Sequence, residues 1–318
     1  MKWRMIMNGQ QRSLRGRIRL LAAYAVLGLF VLLIVHLVGG AKDTKSDSID
    51  KQATEKVATQ ANQVSTKQRK IKSELSKYLA KVTKDKTVSV SFYNLGATKG
   101  STAAKSKNAA VYKAGGLATE SNSRTKEISA STYKLFISAY LMHLKQQGNY
   151  SWTTANENGF YQMIVNSSNT YPESILTTYG DTTVDQFIKS QGWYSPVFQI
   201  NEISATNSHS LMLLLKDMAQ YKGAFSNKSD TTKILALMNK QIYRTGIPTG
   251  AKAAKKGTKV ADKVGWLNDT NNDAGIVTLP NGQRYVLVIM THGHGQSGFS
   301  GFPKIVKITK KVQEIVYE

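Results

Sequence analysis

The chain of 318 residues contains no cysteine. That absence excludes a disulfide framework, a cysteine nucleophile and thiolate metal sites. It does not exclude export, since a secreted protein can do without disulfides. Acidic residues are scarce: 20 Asp and Glu stand against 43 Lys and Arg, for a net charge of +23. Such an imbalance invites a nucleic-acid reading, but the basic residues form no single stripe. They precede an apolar segment, run along a polar helical stretch and cluster in a loop at Lys252, Lys255, Lys256 and Lys259. Outside a cell such a chain meets anionic lipid headgroups and anionic wall polymers before DNA. A wall polymer or lipid surface, and no nucleic acid, is therefore the expected partner. Histidine is sparse as well, at 5 residues. Only His292 and His294 are close together, and they lack a nearby third ligand, so no metal and no cofactor are expected.

What is present begins with an uncharged run, LLAAYAVLGLFVLLIVHLV, over residues 20–38. At about 1.5 Å per residue it spans roughly 28 Å as a helix, close to a hydrocarbon core. Lys2, Arg4, Arg12, Arg15, Arg17 and Arg19 precede it with no acid among them. The positive-inside rule then assigns 1–19 as a cytoplasmic basic segment and 20–40 as a transmembrane anchor, with everything later outside. The rival reading is a signal peptide cleaved near Gly39-Gly40-Ala41. Residues 41–69 are polar and free of proline. Val57, Val64, Ile71 and Tyr78 recur every seven residues, with Ala61, Gln68, Leu75 and Val82 as a second row. This reads as a helical stalk running into a folded domain over 70–318; a coiled-coil dimer is the alternative.

From Lys86 the period changes to two, with Val88, Val90 and Phe92 alternating against Thr87, Ser89 and Ser91. A second strand is expected near 109–113. Helical patterns occupy 131–146, 158–166, 182–191 and 208–220. Strand signals return at 259–267, 275–279 and 285–291, before an amphipathic helix carrying Ile305, Ile308, Val312 and Ile315. No internal repeat is visible. The order predicts an α+β fold, an antiparallel sheet flanked by helices with a helical subdomain inserted between its outer elements.

Three short motifs carry residues suited to chemistry. In Ala130-Ser131-Thr132-Tyr133-Lys134, a serine and a lysine three apart share one helical face. A neutral amine there can take the hydroxyl proton, and the helix start aims backbone N–H groups at a developing oxyanion. An N-capping serine followed by a solvated lysine is the better explanation of such a pair when it stands alone. In Ser167-Ser168-Asn169 a hydroxyl can relay a proton to a leaving nitrogen and an amide can orient a substrate; a polar helix terminus is the plain alternative. In Lys263-Val264-Gly265-Trp266, on a strand, the lysine brings positive charge. The glycine admits a substrate to the strand edge, where it can pair as an added strand.

The order Ser-x-x-Lys, Ser-x-Asn, Lys-x-Gly resembles the motif set of class A β-lactamases and penicillin-binding D,D-peptidases. Residues 130–134 look like the family's Ala-Ser-Thr-Phe-Lys with Tyr133 for the phenylalanine. Asn272-Asp273, two hydrophobic strands and a final helix look like the end of its fold. The resemblance covers about 70–318 and implies a β-lactamase/transpeptidase-like architecture. It implies Ser131 as acylated nucleophile, Lys134 as its base, Ser167 as proton relay and Lys263 as its polarising partner. It further implies that Asn169, Val264, Gly265 and Trp266 contact substrate, with the N–H groups of Ser131 and Trp266 as oxyanion hole. Two converging lysines would depress each other's pKa.

Departures from the pattern bear on activity. Val264 replaces the usual Thr or Ser and removes a hydroxyl that binds a substrate carboxylate. Ser168 replaces an Asp, and the 131–167 connection is short for a class A enzyme. The glutamate that activates the deacylating water in those enzymes has no evident counterpart. Between 174 and 199 the only acids are Asp181 and Asp185, read as helix-start acids, and Glu202 stands close to the next helix. The expectation is an extracytoplasmic serine hydrolase forming a slowly released acyl-enzyme on an envelope peptide or ester ending in a carboxylate. A peptidoglycan stem peptide is what the resemblance implies. The alternatives are a true class A-type β-lactamase and a degenerate, non-catalytic wall-binding module.

Overall fold

The computed structural model describes residues 46–318, with side chains from Val57 onward. The expected anchor and basic segment lie outside the described residues, as does the start of the stalk. No helix among the described residues is long and apolar enough to cross a membrane. The chain divides into two units, Met1–Ala61 and Asn62–Glu318. In the first, the described residues belong to the N-terminal part of helix α1 (Ser46–Val82).

In the second unit, Ile71, Leu75 and Leu79 of α1 are buried, with Val64, Tyr78 and Val82 packed around them. The seven-residue spacing seen in the sequence thus serves packing within the domain. Gln68, the polar residue of that seam, donates to the carbonyls of Val111 at 2.9 Å and Ala110 at 3.4 Å. Strand β1 (Val88–Ala97) follows, then a 3-10 turn at Ala109–Tyr112, β2 (Thr119–Ser121) and β3 (Glu127–Ile128). The strand expected at 109–113 is therefore that turn. Its carbonyls, and that of Lys113, are met by the side chains of Gln68 and Asn94 rather than by a neighbouring strand.

A 3-10 turn at Ala130–Tyr133 opens the helical layer, which runs through α2 (Lys134–Gln146), α3 (Thr154–Ile164), α4 (Thr170–Tyr179) and α5 (Asp181–Ser190). It continues through β4 (Ala205–Thr206), α6 (Ser208–Gln220), α7 (Lys228–Asn239) and α8 (Ile247–Ala254). The helices α4, α7 and α8 have no counterpart in the expected set. The chain ends with β5 (Lys259–Leu267), β6 (Thr270–Thr278), β7 (Gln283–Thr291) and α9 (Phe302–Tyr317).

The five-stranded sheet has the order β2-β1-β7-β6-β5, and its pairs are antiparallel. One core cluster joins α2, α3, α5 and α6 to one sheet face through residues such as Phe136, Phe160, Leu215 and Val286. The other packs α1, α8 and α9 on the opposite face through Leu75, Ile247, Ile305 and Val312. The expected α+β plan, an antiparallel sheet flanked by helices with a helical insertion, is the one observed. Strand β5 is an edge strand, and the 3-10 turn carrying Ser131 lies against it.

Candidate functional site

Ser131 sits in the 3-10 turn, and α2 proper begins three residues later at Lys134. Ala130 holds a φ of 43° and Ser167 a φ of 60°, left-handed values that non-glycine residues rarely adopt. Such strain persists only where the surroundings fix it, and both strained residues belong to the expected motifs. Two contacts from β6 and the 204 segment brace the turn. Asn272 Nδ2 donates to the carbonyls of Ile128 at 2.8 Å and Ser129 at 3.1 Å. The Ser129 hydroxyl donates to the Ser204 carbonyl at 2.9 Å. Nothing in the sequence singles out Ser129 or Ser204, because they meet only in the fold, where their hydroxyls also lie 2.7 Å apart.

Lys134 is fully buried, and its amine reaches Ser131 Oγ at 2.7 Å, the Ser167 carbonyl at 2.8 Å and Asn169 Oδ1 at 2.7 Å. Burial lowers its pKa to about 8, against the opposing charge of Glu173. At neutral pH roughly a tenth of such amines are unprotonated. In that form the nitrogen has a lone pair for the Ser131 hydroxyl. Lys263, also fully buried, donates to Ser167 Oγ at 2.8 Å and to the Val264 carbonyl at 2.9 Å. Burial pushes its pKa well down, and the Lys134 charge adds to the effect, while Asp262 and Asp273 oppose it. Mutual repulsion of the lysines is thus secondary to desolvation.

Ser131, Lys134, Ser167, Asn169 and Lys263 therefore form one linked cluster. Asn169 spends its carbonyl on Lys134 and is otherwise exposed. Strand alternation puts Lys263 and Gly265 on one face of β5 and Val264 and Trp266 on the other. Val264 is fully buried in the core shared with α8 and α9 and supplies no hydroxyl to a ligand. Gly265 abuts the Ser131 turn. Trp266 is half-buried against Tyr243 and Phe299.

The carboxylates near the site differ from expectation. Asp181 stands at the start of α5, as read from the sequence. Asp185 does not act as a helix-start acid. It is buried one turn further along, and accepts hydrogen bonds from the backbone N–H groups of Val197 at 2.7 Å and Phe198 at 3.1 Å. Glu202 is paired with Lys126 at 3.8 Å. Glu173, one residue ahead of the 174–199 segment, is exposed in the first turn of α4, and its charge is felt by both Lys134 and Tyr133. Its amide bonds the Asn169 carbonyl at 3.0 Å. The signal that finds it is the i+4 spacing from Asn169. His292 pairs with Glu127 at 3.0 Å and His294 with Asp85 at 2.7 Å, so the two histidines do not converge.

Comparison with known proteins identifies the family and the fold. The model of the beta-lactamase enzyme family matches residues 153–318. Among solved structures, PBP-A is 17% identical with a TM-score of 0.57, covering 78% of this chain and 94% of its own. A PBP-A mutant has been captured as an acyl-enzyme complex with penicillin G. The TLA-1 extended-spectrum β-lactamase is 18% identical with a TM-score of 0.60, covering 77% of this chain and 99% of its own. A representative class A β-lactamase from Bacteroides cellulosilyticus is 16% identical with a TM-score of 0.57, covering 78% and 97%. At these identities the likeness is one of fold. No curated protein matches the sequence.

Proposed function

As the chain belongs to the beta-lactamase enzyme family, and is a serine hydrolase of the β-lactamase and D,D-peptidase type, we propose that Ser131 is the nucleophile of an acyl-enzyme on an envelope peptide or ester. The observation that carries this reading is the 2.7 Å contact between a buried, pKa-depressed Lys134 amine and Ser131 Oγ. Neutral Lys134 takes the hydroxyl proton as Oγ bonds to the substrate carbonyl carbon. The carbonyl electron pair moves to oxygen, facing the N–H groups of Ser131 and Trp266. Collapse breaks the bond to the leaving group, which takes the Ser167 hydroxyl proton as protonated Lys134 returns its proton to Ser167, whose Oγ Lys263 holds at 2.8 Å. Asn169 and the β5 edge at Val264, Gly265 and Trp266 orient the chain of the substrate.

Release of the acyl group needs an activated water. Asp185 is held by backbone N–H groups and Glu202 lies exposed beside Lys126, and a positioned base contributes about 10²–10⁴-fold. The acyl-enzyme is therefore long-lived, as in a D,D-peptidase-like enzyme met by a slow substrate. One observation favours the second reading, a true β-lactamase: the exposed Glu173 within electrostatic reach of Lys134. A stem peptide of peptidoglycan is the proposed substrate class. The excess of lysine favours an anionic wall polymer or lipid surface around the domain, and residues 20–40 would hold it at the membrane with 1–19 in the cytoplasm.

Intact-mass analysis of the soluble domain after penicillin exposure tests the reading. The expected result is a persistent adduct on Ser131, absent in Ser131→Ala and slow to form in Lys134→Ala. Rapid turnover that Glu173→Gln abolishes would establish the β-lactamase reading instead. No adduct with any β-lactam or activated ester would overturn both.

A further inference from the structure

The edge strand that borders Ser131 leads into an uncharged rim. Trp266 contacts Tyr243 and Phe299 with ring centroids 4.6 Å apart in each case, and Tyr243 stacks on Phe299 at 5.5 Å. Phe299 remains 39% exposed, Leu267 37% and Ile242 57%. These residues come from three separate segments, and each is tied to the site. Ile242 donates its amide to the Val165 carbonyl at 3.2 Å, two residues before Ser167. Leu267 follows Lys263 and Gly265 on the face toward Ser131, while Trp266 lies on the other face. Arg244, next to Tyr243, is engaged elsewhere, donating to Asp262 at 2.8 Å and to the Val260 carbonyl at 2.7 Å. The rings of Tyr243, Trp266 and Phe299 form one cluster with Phe299 partly exposed, and an exposed apolar cluster beside a site marks a contact surface.

A substrate pairing along the β5 edge projects alternate side chains to the two faces, each about 4.5–5.5 Å from its cross-strand neighbour. On one face its neighbours are Gly265 and Leu267. On the other they are the rings at Trp266. We infer that the acyl donor carries a bulky apolar or aromatic side chain where it passes Trp266, in a subsite formed by Ile242, Tyr243, Trp266 and Phe299. The inference rests on the acyl-enzyme reading for its placement beside the reacting carbonyl, and within that reading it favours an envelope peptide or ester bearing such a group over a stem peptide of alanine, glutamate and a diamino acid. Val264 brings no hydroxyl and Arg244 is engaged with Asp262, so this end of the site is suited to an apolar group rather than to a carboxylate.

Peptidyl esters differing only in a glycyl or phenylalanyl residue, placed on the acyl side or on the leaving side of the scissile carbonyl, test it. Two readouts are used: the rate of Ser131 acylation by intact mass, and calorimetric binding of the same esters to Ser131→Ala. In one of the two placements, the phenylalanyl ester should exceed the glycyl ester by ~10-fold or more in both readouts, the discrimination an apolar pocket supports. The combined Ile242→Ser and Phe299→Ser variant, altering only exposed side chains, should bring that ratio close to one. Ile200→Ser, which changes an exposed apolar residue outside the rim, should leave it intact. A wild-type ratio near one in both placements, or a ratio unchanged by the double variant, overturns the subsite. Absence of acylation by every ester counts against the acyl-enzyme reading alone, because the binding ratio on Ser131→Ala still decides the subsite.

Discussion

Gly265 lies so close to Ser131 that a Cβ at position 265 would stand 2.7 Å from the Ser131 backbone nitrogen and 2.9 Å from that of Thr132. Real side chains do not approach backbone that closely, so Gly265→Ala must push the edge strand and the nucleophile turn apart. The proposed oxyanion hole is built across this gap. Misplacement by about 1 Å costs on the order of 10²-fold. Acylation of Ser131 in Gly265→Ala should fall by about that factor while circular dichroism stays native. A rate within twofold of wild type would show that the two segments can separate without harm to the chemistry.

Lys134 should impose a pH dependence of definite sign. Burial lowers its pKa to about 8, and only the neutral amine can accept the Ser131 proton. The acylation rate should therefore rise with pH through a midpoint of about 8. Glu173 holds the ammonium form, so Glu173→Gln removes an opposing charge and should move the midpoint lower. Stopped-flow acylation from pH 6 to pH 10 measures both. A flat profile, or a midpoint that rises in Glu173→Gln, contradicts the assignment of Lys134 as base.

The motifs at Ser131, Lys134, Ser167 and Lys263 were legible because the chemistry needs those residue types in a fixed order. So were the strands beginning near Val88, Lys259 and Gln283, through apolar alternation or runs. The helix α4 was not, since its Thr and Ser residues give a weak period and Pro172 reads as an interruption, although its ring sits in the first turn, where it costs nothing. The start of β6 was missed for a different reason. Thr270, Asn271, Asn272 and Asp273 are buried polar residues, so hydrophobic patterning places the strand's start too late. Asn271, Asn272 and Asp273 meet backbone groups distant in sequence, at Gly298, Ile128 and Ile247. The misreading of Asp185 has the same origin, because only the fold brings the amides of Val197 and Phe198 to it.

Asp273 links the sheet to stability. It is fully buried beside Asp262, and each carboxylate has one oxygen without a hydrogen-bond partner among the described residues. Desolvation raises the Asp273 pKa to about 7. The Asp262 carboxyl beside it is raised as well, by burial and by the Asp273 charge, so the native pair holds a proton between pH 4 and 7 that the unfolded chain releases. The stability tied to that proton is present below about pH 4 and is lost as pH rises through 7. Urea unfolding of wild type should weaken from pH 5 to pH 8 relative to Asp273→Asn, whose amide does not titrate and can still accept from Ile247. Parallel pH curves for the two proteins would refute a protonated Asp273.

Asp185 gives the sharpest separation between a sequence reading and a structural one. A helix-start acid acts through the helix dipole, worth about 0.3–1 kcal/mol at an exposed site. Asp185 instead accepts two buried backbone N–H groups, and a buried donor left without its acceptor costs about 1–3 kcal/mol. Asp185→Ala should therefore destabilise the domain by about 2–5 kcal/mol, against no more than ~1 kcal/mol for Asp181→Ala, which stands at the true start of α5. Urea midpoints of the two variants measure the difference. The Asp185→Ala loss should come with faster proteolysis at 195–198, because the segment that the carboxylate held has lost its tie to α5. Equal midpoints for the two variants would mean that both acids do no more than start the helix.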